Sequence, residues 1–218
     1  MKTYYESFKA LLQEEKKEEA VLYALDLIKK EEVDVIDLYT QILTPALNNM
    51  ESKGPEDSVG VWEEHIRTAI VRTIVECCYP YVIEKRNQRN IKNKGRAIVL
   101  CPPEEYHDLG ARMCADFFTI NGYSSTFVGS NTPDWDFYKA IEIVQPDWVA
   151  ISVSNYYNLA ATKRIIEKIK SINPHKFKII VGGYAFNRNP EYYKVVGADY
   201  YACTYQDIEN IVQSEVTK

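Results

Sequence analysis

The sequence predicts an α/β protein with an N-terminal helical cap, and two patterns carry that prediction. The hydrophobic period changes near residues 87–96, from the three-and-four spacing of helices to short apolar runs. From there to the C-terminus, strand and helix alternate, as a parallel sheet with helices on both faces requires. A loop behind the first strand, reading CPPEEYHDLGARM over residues 101–113, marks the place where chemistry is expected.

The cap comes first. Residues 4–14 carry Tyr5, Phe8, Leu11 and Leu12, and residues 17–30 carry Ala20, Val21, Ala24, Leu25 and Ile28, each set on one helical face. A third helix is expected from Asp34 to Met50 and a fourth from Val61 to Lys85. Gly54 and Pro55 break the segment between them. Four helices with short connections predict a four-helix bundle over residues 1–87. The polar, basic stretch RNQRNIKNKGR reads as an exposed linker over 88–96.

Residues 97–218 hold the α/β pattern. Strands are expected at 97–101, 124–128, 147–152, 178–182 and 199–202. Helices are expected near 109–120, 134–144, 160–172, 191–196 and 206–217. Five such strands predict a flavodoxin-like parallel sheet, which binds ligands beyond the carboxyl ends of its strands.

Composition narrows the function. Hydrophobic residues make up 46% and charged residues 26%, an ordinary globular balance. The net charge of −5, with acids and bases interspersed, argues against a broad nucleic-acid surface. No apolar run approaches the ~20 residues of a membrane span, and the N-terminus lacks a signal-peptide layout. A cytoplasmic protein is expected. The five cysteines form no C-x-x-C pair, so they read as small buried residues rather than a zinc site. The 17 tyrosines suggest no joint function.

Within the loop, Pro102 and Pro103 stop the strand, His107 follows Glu105 by two residues, and Gly110 opens the next helix. A neutral imidazole can offer one nitrogen to a metal if an acceptor fixes the other, and Glu105 is close enough to be that acceptor. Gly110 permits close approach by a large ligand. There is no G-x-G-x-x-G for a dinucleotide, and no supported nucleophile triad. His175, in INPHKFK ahead of the fourth strand, reads as a surface residue.

With E-x-H-x-x-G behind the first strand, V-G-S-N-T-P behind the second, S-V-S closing the third and V-G-G closing the fourth, the chain resembles a known family. It is similar to the cobalamin-binding module of methionine synthase, corrinoid methyl carriers and light-responsive adenosylcobalamin repressors. The resemblance spans residues 15–215. The family loop is usually D-x-H-x-x-G, and Glu105 replaces its aspartate, as in the repressors, whose loop also follows a Pro-Pro pair. The resemblance implies that His107 is the lower axial cobalt ligand and Glu105 its partner. It places Asp108 and Gly110 beside the corrin, Ser152 and Ser154 along the slot for the nucleotide tail, and Gly182 and Gly183 where that tail passes the backbone. In VWEEHIRTAIV it implies that Glu64 and His65, with Val61 and Trp62 close by, face the upper ligand. The repressors' covering tryptophan has its matching position near Gly54, so the chain departs from their pattern beside the upper ligand.

Three functions are expected in order. The first is a cobalamin-dependent sensor whose candidate trigger is light, with adenosylcobalamin or methylcobalamin as cofactor and His65 taking the vacated upper position. Because the chain starts almost at the bundle, without the repressors' helix-turn-helix domain, this sensor is expected to act through a protein partner or a change of homo-oligomer rather than on DNA. The second is a corrinoid methyl carrier serving methyltransferases. The third is a cofactor-free interaction module.

Overall fold

The computed structural model describes residues 1–50, 60–172 and 177–216. Gly54, Pro55 and His175 therefore lie outside the described residues. The chain divides into two compact units, Met1–Lys85 and Arg86–Lys218. None of the described helices is long and apolar enough to cross a membrane.

The first unit is helical. Helix α1 (Lys2–Gln13) buries Phe8 and Leu12, and α2 (Lys17–Lys29) buries Ala20, Ala24, Leu27 and Ile28. Glu18 and Glu19 open α2 and Lys29 closes it, each charge matching the helix dipole. Asp34 caps α3 (Val35–Asp37) by accepting the Asp37 N–H at 2.9 Å, and it pairs with Lys85 at 2.6 Å.

The expected third helix is continuous, but its middle is a π-helical segment, Leu38–Leu43, leading into α4 (Thr44–Asn48). Pro45 lies just beyond that segment. Proline has no N–H for the residue four before it and its ring crowds that carbonyl, and the wider π turn relieves both.

The expected fourth helix is two. Helix α5 (Val61–Cys77) ends at Cys78, and α6 (Tyr79–Gln88) begins at once. Pro80 sits in the first turn of α6, where its missing N–H costs nothing. Inside the unit, α5 buries Ile70, Val71, Ile74 and Val75, and the Tyr39 hydroxyl donates to the Val75 carbonyl at 3.2 Å.

The second unit is a five-stranded parallel sheet of order β2-β1-β3-β4-β5. The strands are β1 (Gly95–Leu100), β2 (Tyr123–Gly129), β3 (Trp148–Ser152), β4 (Lys178–Gly182) and β5 (Tyr200–Tyr201). Helices α7 (Leu109–Ile120), α8 (Asp134–Val144), α9 (Leu159–Ile172), α10 (Tyr192–Val195) and α11 (Tyr205–Val216) join and flank them. The apolar runs of the central strands follow from helices covering both faces. One face packs Ile98, Val149, Ile151 and Val181 against Phe137, Ile165 and Ile169. The order reverses between β1 and β3, so the loops leaving those two strands diverge and leave a crevice for a ligand.

Candidate cobalamin site

The crevice is built on one buried carboxylate. Beyond β1, Glu104 takes a left-handed backbone (φ 62°) and donates its N–H to Asn131 Oδ1 at 3.1 Å. This turns Glu105 inward, where it is fully buried. Glu105 Oε1 accepts the His107 backbone N–H at 3.2 Å and lies 2.9 Å from His107 Nδ1. Its Oε2 accepts the N–H groups of Ser154 at 2.9 Å and Asn155 at 2.8 Å, and the Asn158 side-chain amide at 3.1 Å. Burial alone would push the Glu105 carboxyl up. The hydrogen bonds from Asn155, His107 and Asn158 outweigh it and hold the group below the ordinary carboxylate range.

The charge therefore stays on Glu105, which directs the Nδ1 proton of His107 toward it. Nε2 is then the nitrogen that a metal would take. The His107 side chain is 62% exposed while its anchor is buried, so the ring stands out at the mouth of the crevice. A single imidazole so oriented fits an axial position on a metal already held in a macrocycle.

The remaining residues expected in this unit divide by their physical role. Asp108 precedes α7 and Gly110 lies in its first turn. A Cβ built on Gly110 would meet nothing within 4 Å, so there is room at this position. Ser152 ends β3, paired in register with Gly182, and Ser154 serves Glu105 through its backbone N–H. Gly182 and Gly183 are required by the chain itself. A Cβ on Gly182 would lie 2.5 Å from the Ala202 carbonyl oxygen, and one on Gly183 (φ 99°) 2.5 Å from that of Val153.

Val61, Trp62, Glu64 and His65 belong to the other unit, in the first two turns of α5. Val61, Trp62, His65 and Ile66 are exposed and Glu64 is half-buried. The acid that serves the helix start is Glu63, which accepts the Gly60 N–H at 2.9 Å. Glu63 also lies 3.5 Å from the buried Arg67, which approaches Glu15 of α1 at 3.9 Å.

Two residues that the sequence reading did not single out complete the carboxylate's shell, Asn155 and Asn158. Asn155 Oδ1 also accepts the Tyr157 N–H at 3.0 Å and so shapes the turn that presents Asn158. The Thr162 hydroxyl then donates to the Asn158 carbonyl at 2.8 Å. The run SNYYN after β3 was the available signal, since strand-end asparagines favour such local turns.

Comparisons with known proteins identify the family of the sheet-bearing part of the chain. A model of the B12 binding domain matches residues 95–210, more than half of the chain and all of the sheet. The HTH-type transcriptional repressor CarH of Myxococcus xanthus is 20% identical over 147 residues, 67% of this chain and 47% of the repressor. The chain thus spans about half the length of that relative. The monomethylamine corrinoid protein of Methanosarcina barkeri has the same fold, with a TM-score of 0.82 at 12% identity over 98% of this chain and 99% of that one. The methanol:cobalamin methyltransferase complex MtaBC of Methanosarcina barkeri is also similar, with a TM-score of 0.50 at 18% identity over 96% of this chain and 78% of that one. The matched residues contain the whole Glu105–His107 network and all five strands that carry it, so the chain belongs to the B12-binding domain family and is a cobalamin-binding protein.

Proposed function

We propose that this protein holds cobalamin through His107 as the lower axial ligand and uses the bound cofactor to signal. The observation that carries the ligand assignment is the buried Glu105 carboxylate locked on His107 Nδ1 at the carboxyl end of β1. Bound cobalamin would supply a light-labile cobalt–carbon bond as the responsive chemistry. The protein's part is to fix the His107 ring, keep Glu105 charged and offer room at Gly110. Asp108 is assigned to the lower side of the corrin, and Ser152, Ser154, Gly182 and Gly183 to the neighbourhood of the nucleotide tail. Val61, Trp62, Glu64 and His65 are assigned to the upper axial group. The signalling role rests on the Pro-Pro-Glu-x-His loop and on the similarity to CarH, a transcriptional repressor. It would act through a protein partner or self-association.

A second reading, a corrinoid methyl carrier, is supported by the fold shared with the monomethylamine corrinoid protein.

The test is to add adenosylcobalamin, methylcobalamin and hydroxocobalamin separately in the dark and record visible spectra before and after illumination. A histidine-ligated spectrum that His107→Ala loses is the expected result, and an unchanged spectrum in that variant would refute the ligand assignment. A light-driven change in spectrum and in gel-filtration mass, lost in His65→Ala, is expected of the sensor. Binding without a light response, together with methylation of the reduced cobalt by a donor enzyme, would select the carrier.

A further inference from the structure

The tyrosine richness of the chain acquires a place in the second unit. Among its described residues, every aromatic side chain left exposed stands on a segment that leaves the carboxyl end of a strand. Tyr106 follows β1, Trp135 starts α8 beyond β2, Tyr156 and Tyr157 follow β3, and Tyr184 follows β4. Tyr157 is 87% exposed, Tyr184 70% and Tyr106 67%. The exposed large hydrophobic side chains toward the other end are aliphatic, such as Ile143 at the end of α8. Scattered exposed aromatics need no explanation, but a one-sided set around a crevice marks a contact surface.

We infer that Tyr106, Tyr157 and Tyr184 form a rim that grips the edge of the corrin, each ring lying on the macrocycle and each hydroxyl bonded to one of its peripheral amides. The inference rests on the proposed cobalamin site and adds to it the residues that select an amide-fringed macrocycle. These tyrosines are tied to the His107 network. Tyr106 is its neighbour in sequence. Tyr157 donates its N–H to Asn155, whose own N–H is held by Glu105. Tyr184 follows Gly183, which lies against the Val153 backbone one residue before Ser154. The rim is tyrosine rather than phenylalanine or leucine at all three positions. A phenol suits a ligand whose plane is apolar and whose fringe is polar. A purely apolar partner would leave three hydroxyls to be buried without bonds.

The experiment titrates the full chain with hydroxocobalamin and reads affinity and visible spectrum together. Tyr106→Ala, Tyr157→Ala and Tyr184→Ala are each expected to raise Kd by about five- to tenfold, the worth of one hydrogen bond with its ring contact. The saturated spectrum should remain that of histidine-ligated cobalt. The matching Tyr→Phe variants should recover part of the loss, and Ile143→Ala should show none. Alanine variants that all stay within twofold of the wild type, with His107 ligation intact, would overturn the rim. Failure of the wild type itself to bind would show up separately, as the loss of the cobalamin site and of this inference with it.

Discussion

At Glu105 two oxygens receive five hydrogen bonds, which together offset the cost of a charge in a fully buried place. This makes the network sensitive to small changes. Glu105→Gln would turn an NH2 group toward donors, leaving at least one buried group unpaired. The expected cost is about 2–3 kcal/mol of stability, read by urea unfolding, together with a weakened His107 ligation in the cobalamin spectrum. Asn158→Leu keeps the shape but removes one donor of three from Oε2, so a smaller loss of about 1–2 kcal/mol is expected. A loss in Asn158→Leu larger than in Glu105→Gln would mean that the asparagine acts through something other than the carboxylate. The Glu105–His107 pair could be read from the sequence because the two residues are two apart. Asn158 could not, because its contact crosses 53 residues and depends on where β3 ends beside β1.

Elements were legible where one physical rule dominates and less so where two compete. Helix α7 runs from Leu109 to Ile120, as its spacing predicts, since nothing inside it breaks the period. The run from Val61 reads as one helix because its apolar period continues past Cys78, while Pro80 imposes a new start. The glycines show the same competition. The V-G-G run reads as room for a ligand, and the backbones of Val153 and Ala202 by themselves already require glycine there, since a Cβ would lie 2.5 Å from their carbonyl oxygens. Gly183→Ala, at positive φ and 2.5 Å from a carbonyl oxygen, is therefore expected to destabilise the apoprotein by more than about 2 kcal/mol. Gly110→Ala has open space and a helical position, so it should leave thermal stability unchanged or slightly higher. The same variant should bind cobalamin more weakly if the corrin lies where Gly110 leaves room. Equal thermal losses in the two variants would contradict this division of roles.

Across the whole second unit, the segment read as an exposed linker is partly structural. Arg89 binds Glu209 of α11, donates to Asn121 Oδ1 at 3.2 Å beyond the end of α7, and lies over the Tyr205 ring. The Tyr205 hydroxyl also donates to Glu209, at 3.0 Å. Sequence composition marked residues 88–96 as polar and basic, which is correct, but composition cannot show that an acid 120 residues later closes the unit around one of its arginines. Burial would raise the Glu209 carboxyl, and the bonds from Arg89 and Tyr205 more than reverse that, so it is held below the ordinary range. A carboxyl depressed in the folded state contributes stability above its unfolded value and loses it as pH falls through the folded value. Wild type should therefore exceed Glu209→Gln by about 1–2 kcal/mol at neutral pH. The gap should close below about pH 4, where carboxyls protonate in the unfolded chain and then in the folded one. Urea unfolding of both proteins between pH 7 and pH 3 checks this, and a gap that stays constant with pH would mean that Arg89 is held by Asn121 and Tyr205 rather than by charge.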